Sequence, residues 1–188
     1  MPRFLGNHTL PSAAKRLASL VRGVGPVQTC STIWSVIDDK YLRTFDRRYR
    51  VKTSDFILLS DTNFDPARLR DATQYGPVNG WAFRKLLKHL GLPRRWHFAD
   101  LGCGLGRACV LAAEYGFEKV TGVELSPQFC AIARENIANC RPLAGKTASI
   151  EILQLDALDF CDQTDADVFF MFRPFSGEFL QRILQKLV

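Results

Sequence analysis

The chain has 188 residues, 47% of them hydrophobic and 23% charged, with 25 Lys+Arg against 19 Asp+Glu for a net charge of +6. These values describe one ordinary globular domain with room for a small appendage, and no apolar run approaches the roughly 20 residues that cross a bilayer. The six cysteines (Cys30, Cys103, Cys109, Cys130, Cys140, Cys161) form no CxxC pair and no metal-like spacing with the three histidines, so scattered thiols in a reducing cytoplasm are expected, with no disulfide scaffold and no metal site.

The charge is concentrated at the front: residues 1–52 hold 10 Lys+Arg against 3 Asp+Glu, and the remainder 15 against 16. This reads either as a patch for an acidic macromolecule such as nucleic acid, or as the solvated face of helices, the plainer of the two. After a loose arm, Pro11–Arg22 suits a short amphipathic helix with Ala14, Leu17, Ala18 and Val21 on one side. No acid precedes Asp38, a faint likeness to a mitochondrial leader. Only four basic residues stand before it, however, and the helix is short, so a cytoplasmic location is expected. Gly23–Pro26 breaks the pattern. Ser31 or Thr32 then caps a second helix to about Phe45, striped by Ile33, Trp34, Ile37, Tyr41 and Leu42. The expected organisation is a basic helical segment over 1–48 and a second domain over 49–188.

Phe56–Leu59 reads as a strand and Asp61–Pro66 as a turn. A loop at Tyr75–Gly80 leads into a helix with Trp81, Phe83, Leu86, Leu87 and Leu90 inward, closed by Gly91 and Pro93. From His97 to Leu125 the sequence reads HFADLGCGLGRACVLAAEYGFEKVTGVEL. That is an apolar strand, a glycine turn, a helix stopped by Gly116, and a β-rich run ending at Glu124. A unit of this kind binds a nucleoside-containing cofactor: glycines admit the ligand close to the backbone, and the helix start offers free N–H donors. Glu124 stands 22 residues beyond Gly102, near the separation at which a carboxylate takes ribose hydroxyls.

Ser126-Pro127 then opens a helix with Phe129, Ile132, Ala133 and Ile137 inward. Ile150–Leu155 alternates as a strand and ends at Asp156-Ala157. Asp165 and Asp167 flank the start of VFFMF, a continuous apolar run suited to a strand buried on both faces. It stops at Arg173-Pro174-Phe175, and a last helix, GEFLQRILQKLV, follows. Alternating strands and helices give a parallel sheet with ligand loops at the carboxyl ends of the strands. The glycines are spaced G-x-G-x-G, with Arg107 where a dinucleotide site wants Gly, and no Gly-Lys-Ser/Thr of a P-loop follows.

Four ordered stretches, FADLGCGLG, VTGVELS, LQLDALDF and DVFFMFRPF, together cover about residues 73–188, and the arrangement resembles the class I S-adenosylmethionine-dependent methyltransferases. DRRYRVKTSDF with TQYGPVNGWAFRKLL is similar to the lead-in of a bacterial group of this class whose function is uncharacterised. The resemblance implies an α/β, Rossmann-like fold: a mostly parallel sheet with helices on both faces, preceded by the N-terminal helical segment. It implies S-adenosyl-L-methionine as cofactor. Asp100 would hold the loop or the methionine amino group, and Gly102, Gly104 and Gly106 would let the backbone pass beside the cofactor. Glu124 would take the ribose hydroxyls and Leu125 would pack on the adenine. Asp156 would accept from the adenine amino group with Ala157 beside the ring, and Tyr75 would cover the methionine end. Asp100 as a turn cap and Asp156 as a helix cap are the plainer alternatives. The acceptor is expected near Arg173, Pro174 and Phe175; it is unidentified, with protein lysine or a small molecule suggested by the family's breadth. Amine methyltransferases of this fold often carry Asn or Asp before that proline, whereas Arg173 has five donors and no acceptor. It either points outward or holds an anionic substrate.

The resemblance also implies seven strands in the order 3-2-1-4-5-7-6, of which this sequence supplies the first four. The sheet is therefore expected to be incomplete after the fourth strand, with VFFMF on an open, aggregation-prone edge. A truncated gene product, a partner or homo-oligomer covering the edge, and coverage by segment 49–65 all remain open. The expected function is methyl transfer to that acceptor; the alternative is a truncated, catalytically impaired remnant that binds the cofactor or a partner.

Overall fold

The computed structural model describes residues 43–54, 75–140, 143, 148–172 and 177–187. The Pro11–Arg22 helix, the Ser31 end of the second helix, the Phe56–Leu59 strand, the Asp61–Pro66 turn and Arg173-Pro174-Phe175 fall outside those residues. Among these residues four strands, β1 (His97–Leu101), β2 (Lys119–Glu124), β3 (Ser149–Gln154) and β4 (Val168–Phe170), pair in the order β3-β2-β1-β4. All three pairings are parallel. This is the 3-2-1-4 order implied by the resemblance. Every residue of β1 is buried, which is why HFADL shows no polar alternation: the central strand of a parallel sheet is covered on both faces.

Among the described residues six helical stretches pack around the sheet: α1 over 43–49, α2 (Gly80–Leu90), α3 (Arg107–Tyr115), α4 (Pro127–Asn139), α5 (Ala157–Cys161) and α6 (Gly177–Leu187). Two apolar clusters separate the layers. One joins Phe45, Phe83, Phe98, Val110, Leu111, Phe117 and Ala133, from α1 to α4 on one face. The other joins Ala99, Leu101, Val123, Leu158, Phe160 and Ile183, with α5 and α6 on the opposite face. Local chemistry sets the ends of the elements. The Asn79 side chain accepts the Trp81 and Ala82 N–H groups, each at 3.1 Å, and Ser126 Oγ accepts the Phe129 N–H at 3.3 Å with Pro127 following. Gly91 and Gly116 close α2 and α3 in the left-handed conformation.

Four expectations are corrected. The helix expected to end near Phe45 continues to residue 49. Phe45 and Tyr49, one turn apart, stack at 4.2 Å and are both buried, so this last turn has its own apolar face. In α2 only Gly80, Phe83 and Leu87 are buried, while Trp81, Leu86 and Leu90 are 56%, 45% and 51% exposed. The i, i+3, i+7 stripe is narrow, and Trp81 on the far side carries Lys85 Nζ 4.1 Å above its ring. In α4 the buried positions are Phe129, Cys130, Ala133 and Asn136. Ile132 and Ile137 are half-buried, because the polar Asn136 faces inward for a reason given below. Finally, β4 is three residues long and half-buried rather than covered on both faces. It stands at one end of the sheet order, with β1 as its paired neighbour among the described residues.

The amino end of the sheet is fastened by charge. His97 Nδ1 lies 2.8 Å from Asp165, its Nε2 lies 2.8 Å from Thr121 Oγ1, and Asp167 accepts the His97 N–H at 2.8 Å. Lys119 also reaches Asp165 at 2.9 Å. The hydrogen bonds from Lys119 and His97 lower the Asp165 carboxyl to about 2. Asp165 and Asp167 thus tie the start of β4 to β1 and β2, at the end away from the glycine turn.

Candidate functional site

Register places the chemistry at the carboxyl edge. Leu101 pairs with Val123, and Glu124 with Gln154, so β1, β2 and β3 end side by side. The turn after β1 doubles back on β2: the N–H groups of Gly102 and Cys103 both donate to the Val123 carbonyl, at 2.8 and 3.0 Å. Gly102, Gly104 and Gly106 have φ of 78°, 52° and 82°. In that region a side chain costs about 1–2 kcal/mol, which explains the glycine spacing.

Glu124 closes the turn from the neighbouring strand. Its Oε2 accepts the Gly104 N–H at 3.0 Å and its Oε1 the Ser126 N–H at 2.9 Å. Burial raises its pKa, while hydrogen bonds from the Ser126, Gly104 and Leu125 backbones hold it down. A carboxylate has about four acceptor positions, and the three backbone N–H groups do not fill them, so acceptor capacity remains for a ligand hydroxyl. Asp156 ends the segment after β3 and caps α5 by accepting the Leu158 N–H at 2.9 Å. Ala157 behind it is buried, and Leu125 is half-buried.

Asp100 is 3% exposed, with Cys109 Sγ 3.7 Å from its Oδ2. Burial pushes its carboxyl up to about 7; Cys109 draws it down, and the charge of Glu124 adds to the rise. Between about pH 4 and 7 the native chain therefore holds a proton that the unfolded chain releases, and stability falls as pH rises through that window. We expect the melting temperature of the unliganded protein to drop from pH 5 to pH 8. Asp100→Asn is expected to flatten that slope, and an unchanged slope in the variant would assign the titration to another group.

Tyr75 lies over the turn. A Cβ on Gly104 would sit 2.4 Å from its ring atoms, so glycine is required for contact with the aromatic ring as well as for φ. The ring meets Phe129 edge-on at 5.8 Å, and its O–H donates to the Thr53 carbonyl at 2.9 Å.

Thr53 belongs to a network to which sequence reasoning gave no role at the site. Asp46, on α1, accepts the N–H groups of Thr53 and Ser54 at 2.8 and 2.9 Å and the Thr53 hydroxyl at 2.7 Å. Arg107, 2% exposed at the start of α3, donates to Thr53 Oγ1 at 2.7 Å, Ser54 Oγ at 3.0 Å and Asp46 Oδ1 at 3.1 Å. Its guanidinium carbon lies 4.4 Å from the Phe45 ring centroid. Asn136 accepts the Lys52 N–H at 2.7 Å and donates to the carbonyls of Lys52 and Leu105, at 3.1 and 2.9 Å. Residues 51–54 thus form a strap joined to the glycine turn at two points. A cation in the first turn of α3 opposes the helix dipole, which was the available signal that Arg107 serves a partner elsewhere.

Three carboxylates, Asp100 and Glu124 within the last two residues of β1 and β2 and Asp156 just beyond β3, therefore stand at the carboxyl ends of three adjacent parallel strands, each strand step being about 4.8 Å. Together with the glycine turn they define a Rossmann-like site that suits an elongated nucleoside cofactor. Comparison with known proteins gives the class. The family of the methyltransferase domain matches residues 98–188. A stretch of 52 residues is 36% identical to YqeM of Bacillus subtilis (strain 168), whose name carries a methyltransferase assignment; the match covers 28% of this chain and 21% of that protein. PH1948 of Pyrococcus horikoshii, named as an RNA methyltransferase, shares the fold with a TM-score of 0.51 at 23% identity, over 68% of this chain and 64% of that one. HI0767 of Haemophilus influenzae, named as a methylase, aligns with a TM-score of 0.48 at 21% identity, over 57% of this chain and 69% of that one.

Residues 98–188 thus match a methyltransferase domain on a fold shared with PH1948, and the class I methyltransferases use S-adenosyl-L-methionine as cofactor. The chain spans about a fifth of the length of YqeM and under two thirds of PH1948. Among the described residues no helix is long and apolar enough to cross a membrane.

Proposed function

We propose that the protein is an S-adenosylmethionine-dependent methyltransferase acting on an unidentified acceptor, with protein lysine and small molecules as the classes to test first. The observation that carries this reading is the order of Asp100, Glu124 and Asp156 along the ends of β1, β2 and β3 beside the glycine turn. Asp100 faces the methionine end, where it holds the loop or the amino group, and Tyr75 covers that end. Glu124 takes the ribose hydroxyls with its remaining lone pairs. Leu125 and Ala157 flank the adenine, and Asp156 accepts from its amino group. Gly102, Gly104 and Gly106 bring the backbone alongside. The acceptor lies toward Arg173, Pro174 and Phe175, beyond β4.

When bound, the cofactor supplies a methyl group already activated on a cationic sulfonium. The chain's own residues have to align the acceptor and exclude water, which is catalysis by proximity and orientation. A base is required only for an acceptor that arrives protonated at the reacting atom. The half-burial of β4 at the end of the sheet order among the described residues supports a second reading, a catalytically impaired remnant that binds the cofactor or a partner along that edge. An acidic macromolecule at the basic front segment is a further partner to test.

Calorimetric titration tests the main reading. S-adenosylmethionine and S-adenosylhomocysteine are expected to give saturable heat and NAD none. Absence of heat with the first two would remove the cofactor assignment. Methyl transfer to a panel of protein, nucleic-acid and small-molecule acceptors separates enzyme from remnant: cofactor binding with no transfer to any acceptor favours the remnant.

A further inference from the structure

We infer that Arg107 is a positioning residue for the cofactor: by gripping the strap it sets Tyr75 over the glycine turn. The inference rests on the cofactor reading above and extends it to a buried residue outside the proposed cofactor contacts.

The linkage is continuous. Arg107 directly follows Gly106, the last glycine of the turn, so its backbone moves with the turn. Its guanidinium fork reaches back to Thr53 and Ser54 at 2.7 and 3.0 Å while pairing with Asp46 at 3.1 Å. The Thr53 carbonyl then receives the Tyr75 hydroxyl at 2.9 Å. The Tyr75 ring lies where a Gly104 Cβ would be, against backbone that the cofactor approaches. One residue thus fixes the floor through its main chain and the cover through its side chain. Asn136 fastens the same strap to the Leu105 carbonyl, so the strap cannot slide along the turn.

The planar fork is the chemical requirement. Asp46 needs only a positive charge, whereas Thr53 and Ser54 need separate donors at fixed angles in the same plane. Lysine supplies a point charge on a flexible stem and cannot reproduce that geometry. Arg107→Lys therefore keeps the charge opposite Asp46 and removes the fixed donors to the Thr53 and Ser54 hydroxyls, loosening a strap whose backbone Asp46 and Asn136 still hold. Tyr75→Phe keeps the ring and removes the bond to Thr53. The two changes interrupt one chain of contacts at different links.

The test uses the full chain with S-adenosylhomocysteine as probe, reading dissociation constants by calorimetry and folding by thermal melting. Arg107→Lys and Tyr75→Phe are each expected to weaken binding about five- to tenfold, the equivalent of one hydrogen bond. In a Tyr75→Ala background, Arg107→Lys is expected to change affinity by less than about twofold, because the cover it positions is gone. A purely structural Arg107 would weaken binding equally in both backgrounds, and that additivity would overturn the inference while leaving the cofactor reading intact. If Arg107→Lys fails to fold, Tyr75→Phe decides: wild-type affinity at wild-type melting temperature overturns the inference. If the wild-type chain binds no S-adenosylhomocysteine, the cofactor reading and the inference fall together.

Discussion

Replacing Arg107 by Ala is expected to destabilise the protein by about 3–5 kcal/mol, the loss that follows when one partner of a buried ion pair is removed. Asp46 has 18% of its side-chain surface exposed and already accepts three hydrogen bonds from Thr53 and Ser54. Without Arg107 its charge is left largely out of water with no countercharge in the network. The Thr53 and Ser54 hydroxyls lose their donors, and the Phe45 ring loses the cation over its face. For a unit of this size the melting temperature should fall on the order of 10 °C. The double variant Asp46→Asn/Arg107→Met should recover part of that loss, because it leaves no unpaired charge behind. A single-variant loss below about 1 kcal/mol would mean that water replaces the guanidinium and that the cluster is not closed.

Replacing Glu124 by Ala is expected to reduce affinity for S-adenosylmethionine about 100-fold or more. A hydrogen bond to a charged group contributes about 1.5–3 kcal/mol, and a ribose diol offers two. The carboxylate also fastens the Gly104 and Ser126 N–H groups, so its removal loosens the turn that the ligand requires. Glu124→Gln separates the two contributions. One carbonyl oxygen still serves one N–H while the amide NH2 meets the other donor head-on, and the loss should be about tenfold. Calorimetric titration checks both variants. A dissociation constant within threefold of wild type in Glu124→Ala would place the ribose elsewhere.

The parts of the fold that were legible from sequence are those written in local chemistry. The Gly-x-Gly-x-Gly spacing, the Ser126-Pro127 cap, Gly91 and Gly116 each act within a few residues, and each does in the structure what its residue type dictates. Strand order followed because the four strand motifs stand in a familiar sequence. Burial was less legible. Leu86 and Leu90 are apolar yet exposed, since α2 presents only its Phe83 and Leu87 stripe to the core. Asn136 is polar yet buried, since its partners are backbone groups of the strap and the turn rather than neighbours on its own helix. Arg107 entered the reading as a glycine that was missing, a fact about cofactor choice. Its actual partners, Thr53 and Asp46, lie 54 and 61 residues away in sequence, a distance that no periodicity reports.

Those separations also order the events of folding. Neighbouring strands β1 and β2 pair residues such as His97 and Lys119 through a single short crossover. The strap must close loops of 54 to 84 residues to reach Arg107 and Asn136. Loop closure is entropically dearer for the longer span, so the sheet and its flanking helices are expected to form first and the strap to dock onto them afterwards. By the same logic the strap is the first piece to leave, detaching at a free energy below that of global unfolding. Docking of the strap is then the expected last step of folding, and its release the expected first step of unfolding.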